Sequence, residues 1–157
     1  MKHASVLLQI TQGDNDVYVQ ADFMGTVLKT SVVAGGGSSP TWGQGEILEF
    51  WPTCSGIPTV RLTAYDEDVG SANDELGMAQ LNLSLQDAES RWERKEWYPL
   101  KHNGKDAGAV HAVIEWDPDP PEPKRRGVLV KVLEARNLPS MDFTGVFTAE
   151  IWPHFNA

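Results

Sequence analysis

Eight short segments rich in β-branched and aromatic residues, each fenced by turn-forming residues, constrain this chain more than any other feature. They are Val6 to Ile10, Val17 to Phe23, Val27 to Val33, Glu46 to Trp51, Thr59 to Tyr65, Met78 to Leu85, Glu96 to Leu100 and Ala109 to Trp116. Several alternate apolar with polar residues, as in RLTAY and HAVIEW, which is the period of a strand with one buried face. Gly35-Gly36-Gly37-Ser38-Ser39-Pro40, Ser55-Gly56-Ile57-Pro58 and His102-Asn103-Gly104 punctuate the series. Only Gln86 to Lys95 reads as a helical turn. Eight strands at this spacing predict an all-β fold, an eight-stranded antiparallel β-sandwich.

The pattern stops at a proline-rich stretch. Four prolines fall between Pro118 and Pro123, a density that excludes helix and inner strand and favours an extended spacer. The sequence therefore divides into a sandwich over 1–118, a linker over 119–126 and a C-terminal unit over 127–157. Charge follows the same division. Residues 1–118 hold 8 Lys and Arg against 17 Asp and Glu, while 119–157 hold 5 of each. In the tail, Val128-Leu129-Val130-Lys131-Val132 echoes Val6 to Ile10 (VLLQI), and Ala149 to Phe155 echoes Val17 to Phe23. The tail reads as a short β extension, two strands that cannot bury a core by themselves. It must dock on the first domain, pair with another chain or continue into a longer protein.

Composition removes several classes. A 157-residue chain with 41% apolar residues builds one well-cored domain. The net charge of −9 argues against nucleic-acid binding, which needs a surplus of Lys and Arg. Cys54 is the single cysteine, so neither an internal disulfide nor a cysteine zinc site is expected. The four histidines, His3, His102, His111 and His154, lack metal-ligand spacing. No apolar run approaches the roughly 20 residues of a membrane span. The opening ASVLLQI is too short and too interrupted for a signal-peptide core, which points to a cytoplasmic protein. No catalytic constellation stands out, and the chain reads as non-enzymatic. Trp42 and Trp116 are expected in the core, with Trp51 and Trp97 assisting.

The most informative segment is Tyr65 to Gly77. Asp66 and Asp68 share one side of an extended backbone, and a loop containing Gly70, Ser71 and Asn73 returns the chain to Asp74. Two unit charges about 4 Å apart repel by roughly 4 kcal/mol at an effective dielectric of about 20. Such carboxylates either stay splayed in water, as a merely soluble hairpin tip, or converge on a hard cation. Oxygen donors on a flexible loop suit Ca²⁺.

In this segment the sequence resembles the C2 domain family. Asp66-x-Asp68, five intervening residues, Asp74 and then Leu76-Gly77 are similar to its third loop. Asp16-Val17-Tyr18-Val19, Lys29-Thr30, Pro40-Thr41-Trp42 and Trp97-Tyr98-Pro99-Leu100 match further family positions in order. Gly127 to Gly145 resembles the opening of a second C2 domain. The resemblance implies a sandwich whose loops bind Ca²⁺ at one end, with Asp16, Asp66, Asp68 and Asp74 as ligands. Asp14 is the nearest substitute for a further loop ligand, because the connection after Ile10 is short; in the tail Asp142 matches that ligand and Thr148 replaces the next. The resemblance also implies weak, Ca²⁺-dependent docking of a peripheral protein on anionic phospholipid, with Val69 and Met24 as the apolar loop tips. The alternative it leaves is a Ca²⁺-independent scaffold that binds a protein partner. A third reading has the tail strands donated to a neighbouring chain in a homodimer.

Overall fold

The computed structural model describes residues 5–11, 14–51, 58–82, 89–118, 127–140 and 144–150. Ten strands run in chain order: β1 (Ser5–Thr11), β2 (Val17–Phe23), β3 (Thr26–Lys29), β4 (Thr41–Phe50), β5 (Thr59–Asp66), β6 (Asp74–Asn82), β7 (Trp92–His102), β8 (Lys105–Trp116), β9 (Val128–Arg136) and β10 (Thr144–Glu150). Eight of them form one antiparallel sheet in the order β3-β2-β5-β6-β7-β8-β9-β4. The sheet is folded into a sandwich. Between β6 and β7 the register is a single pair, Met78 opposite Lys101, and that corner separates the leaf β3-β2-β5-β6 from the leaf β7-β8-β9-β4.

Alternation dictates which side chains meet between the leaves. Along β2, Val17, Val19, Ala21 and Phe23 are buried; along β8, Val110, Ala112, Ile114 and Trp116 answer them. Phe23 from one leaf meets Phe50 at 5.9 Å and Trp116 at 6.0 Å from the other. Fully burying one such side chain contributes about 1.5–3 kcal/mol. The tight turns are legible locally. Met24-Gly25 joins β2 to β3 and Asn103-Gly104 joins β7 to β8, all four residues at positive φ, the left-handed backbone conformation with which a two-residue hairpin turn matches the twist of its strands.

Three expectations change. The helical turn over Gln86 to Lys95 stops short of its expected end: Glu89 is helical, but the chain has left the helix before Trp92. Trp92 to Lys95 belong to β7, with Trp92 opposite Trp116 and Lys95 opposite Val113, because pairing with the long β8 overrides a weak local helix preference. Trp42 and Trp116 are buried as expected, but Trp51 is 49% exposed and Trp97 stacks on His111 at 4.8 Å rather than lying in the core cluster. Finally, the sheet has eight strands, but not the eight expected. β9 lies between β8 and β4, whereas β1 pairs with β10 in a separate two-stranded ribbon. Val128, Val130 and Val132 of β9 are at most 1% exposed, and Asp117 N donates to Gly127 O at 3.0 Å where the chain returns. The stretch 119–126 between them, Cys54, Asp142, His3 and His154 lie outside the described residues.

Candidate functional site at the acidic end

Strand direction decides what gathers at this end. β2 and β5 are antiparallel with Val17 opposite Asp66, and β5 and β6 with Asp66 opposite Asp74. Asp16 therefore enters β2 beside the point where Asp66 leaves β5, and Asp74 starts the return strand. The same directionality removes Met24 from the site: it follows Phe23 at the far end of β2, where it packs against the core. Val69 stays at the loop tip, fully exposed.

Backbone hydrogen bonds knit Asp16 and Asp66 together. Asp16 N donates to Asp66 Oδ1 at 2.7 Å, and Glu67 N donates to Asp16 O at 2.8 Å. Asp66 is only 3% exposed, so its carboxylate is an acceptor built into the strand junction. Asp16 reaches the other way, its Oδ1 accepting from Gly35 N at 2.6 Å, which ties the 33–40 loop to the same corner. A charged acceptor of this kind is worth about 1.5–3 kcal/mol when its partner is an amide removed from water.

The outer part of the loop is held by Asn73. Its Oδ1 accepts from Asp68 N at 3.0 Å, and its Nδ2 donates to Tyr18 Oη at 3.0 Å. Tyr18 stacks on Tyr65 at 5.3 Å, with Lys29 Nζ 4.9 Å from the Tyr18 ring. Burial first, and then Glu75 and Tyr18, raise the Tyr65 hydroxyl above the usual tyrosine range. Asp68 is partly exposed and Asp74 exposed. Asp14, also exposed, lines a small pocket with Asn15, Gly37, Ser38 and Ser140. Asn15 is buried, and its Nδ2 donates to Pro139 O at 2.9 Å.

The structure thus brings Asp16 and Asp66 into contact and sets Asp74 across the strand pair from Asp66. Asp68 lies beyond them on the loop, and Asp14 lies on the pocket beside Gly37. Among the described residues, no three Asp, Glu, His or Cys side chains converge as a group able to hold a metal ion. The donor chemistry, carboxylate oxygens alone, is that of a Ca²⁺ site, but in this arrangement the carboxylates serve first as hydrogen-bond acceptors. Asn15 and Asn73 fix the two loops; the sequence marked Asn73 only as a turn residue on the way to Asp74, and assigned Asn15 no role. Their only local signal is the turn preference of asparagine.

A second cluster sits on the outer face of the other leaf. Trp97 stacks on His111, Arg136 lies 4.0 Å over the Trp97 ring, and His111 Nδ1 is 3.1 Å from Glu134 Oε1. Among the described residues, no helix is long and apolar enough to cross a membrane.

The C2 domain family matches the chain over residues 2–100. No curated protein matches it.

Proposed function

The chain belongs to the C2 domain family, whose members serve as membrane-, Ca²⁺- or protein-binding modules, and from that premise we propose that it is a non-enzymatic recruitment module whose acidic end takes Ca²⁺ and docks on anionic phospholipid. One observation carries the reading. The strand register sets Asp16, Asp66 and Asp74 at one corner, with Asp68 on the loop that joins the last two. When bound, Ca²⁺ supplies positive charge there. Without it, a chain of net charge −9 is repelled by an anionic surface. In this reading Asp16 and Asp66 fix the corner, Asp68 and Asp74 close over the ion, and Val69 meets the lipid. Docking is peripheral, at the cytoplasmic face.

A second reading has its own support. The Oδ1 atoms of Asp16 and Asp66 already accept backbone amides, which favours an acidic corner that is structural, in a scaffold that binds protein without Ca²⁺. Calorimetric titration of the whole chain with Ca²⁺, beside Asp68→Asn/Asp74→Asn, separates the two. Those substitutions leave the Asp16–Asp66 junction intact. Saturable binding that the double variant loses, followed by Ca²⁺-dependent sedimentation with phosphatidylserine vesicles, supports the first reading. Absence of heat and of any thermal shift at millimolar Ca²⁺ refutes it.

A further inference from the structure

The slot between β8 and β4 has two claimants within one chain. β9 occupies it, with Ile114 opposite Val130 on one side and Leu48 opposite Val130 on the other. Yet the family match begins at residue 2, so it takes in the β1 segment together with β2 to β6. The two sequences align without a gap. Val6, Leu7, Leu8, Gln9 and Ile10 fall on Val128, Leu129, Val130, Lys131 and Val132. The positions of Val128, Val130 and Val132, which face the core in β9, would be taken by Val6, Leu8 and Ile10, all aliphatic. The position of the partly exposed Lys131 would be taken by the polar Gln9.

Chain length permits the exchange. In this alignment Gly13 falls on Ala135. From Gly13 to Val17 there are four steps, which span up to roughly 14 Å at about 3.5 Å per residue, and packed leaves are about 10 Å apart. β1 can therefore enter the slot and still lead directly into β2. Its present partner does not hold it in the sandwich, since β1 pairs along its length with β10, from Ser5 opposite Glu150 to Thr11 opposite Thr144.

We propose that β1 and β9 are alternative occupants of this one slot, so that the sandwich closes either from its own N-terminal strand or from the strand that follows the proline-rich stretch. The exchange acts on the acidic end. With β9 in place, its continuation holds the 33–40 loop and Asn15: Ala135 N donates to Pro40 O at 2.9 Å, Leu138 N to Ser38 O at 3.1 Å and Asn15 Nδ2 to Pro139 O at 2.9 Å. Closure by β1 removes all three bonds. It also releases β9 to open the C-terminal unit.

The test uses the whole chain in three forms, Leu8→Asp, Val130→Asp and the double variant, followed by thermal unfolding and amide hydrogen exchange. A shared slot predicts that each single variant unfolds cooperatively and that the double variant does not. It further predicts that Val130→Asp transfers slow exchange from β9 amides to β1 amides. The proposal is overturned if Val130→Asp is as unfolded as the double variant while Leu8→Asp is unaffected, or if Leu8→Asp alone abolishes cooperative unfolding. A milder change, Val130→Ala, guards against simple misfolding. It should speed exchange in β9 and slow it in β1, each by at least about tenfold. Unchanged β1 exchange in that variant overturns the proposal as well.

Discussion

Gly108 is the position at which the closeness of β8 to the end of β9 can be measured. Its φ is +82°, and a Cβ placed there would lie 2.2 Å from Arg136 O, 2.6 Å from Asn137 O and 2.7 Å from Asn137 C. All three are backbone atoms, so no side-chain rotation relieves the overlap. Gly108→Ala carries two separate costs. Left-handed backbone at a residue with a Cβ costs about 1–2 kcal/mol, and opening a packed strand pair to admit an extra methyl costs about 1–3 kcal/mol. Gly104→Ala isolates the first, because Gly104 has φ +77° and nothing within 4 Å of the added carbon. The difference between the two variants is therefore about 1–3 kcal/mol, or roughly 3–10 °C in Tm for a domain of this size. Differential scanning calorimetry of the two alanine variants beside the unaltered chain reads it. Equal Tm for Gly108→Ala and Gly104→Ala would falsify the close approach of β8 to the Arg136–Asn137 segment.

Three further outcomes follow from single contacts. Burial first, and then Glu96, push the Tyr98 hydroxyl up to about 12; the folded chain keeps that proton between about pH 10 and 12 while the unfolded chain releases it, so stability is complete below pH 10 and falls by about 2–3 kcal/mol towards pH 12. Urea unfolding across that range should show Tyr98→Phe losing less stability than the unaltered chain, and identical profiles would refute the assignment. Thr30 is buried, and its Oγ1 accepts from Val19 N at 3.0 Å; Thr30→Val keeps the shape, strands that amide and should lower unfolding free energy by about 1–3 kcal/mol. Ile114 is fully buried in β8, and Ile114→Ala should cost about 2–5 kcal/mol in the same urea assay, with a loss below 1 kcal/mol placing it outside the core.

Much of this architecture is written locally. Alternation in VYVQADF and HAVIEW marks two strands and the faces they bury, and Asn103-Gly104 marks a hairpin, because a period of two and a positive φ are properties of a few consecutive residues. The acidic end is legible more coarsely: the sequence ends a strand at Tyr65 and begins the next at Met78, whereas the structure carries β5 to Asp66 and starts β6 at Asp74. What the Asp66 carboxylate does there is not legible. Its hydrogen bond to Asp16 N joins residues 50 apart in sequence, and no local pattern specifies such a partner. The start of β7 was hidden for a related reason, since Trp92 to Lys95 acquire their conformation from β8.

The sequence by itself determined the fold class and the loop that carries Asp66, Asp68 and Asp74, which follow from side-chain period and turn chemistry; Asp16 joined them only through what the family resemblance implies. Only the tertiary structure decided which of two similarly patterned strands completes the sheet and how each carboxylate is used. VLLQI and VLVKV carry the same pattern and so the same local information. Choosing between them rests on the fit of a whole strand between β8 and β4, a sum of distant contacts that exists only once the other strands are in place.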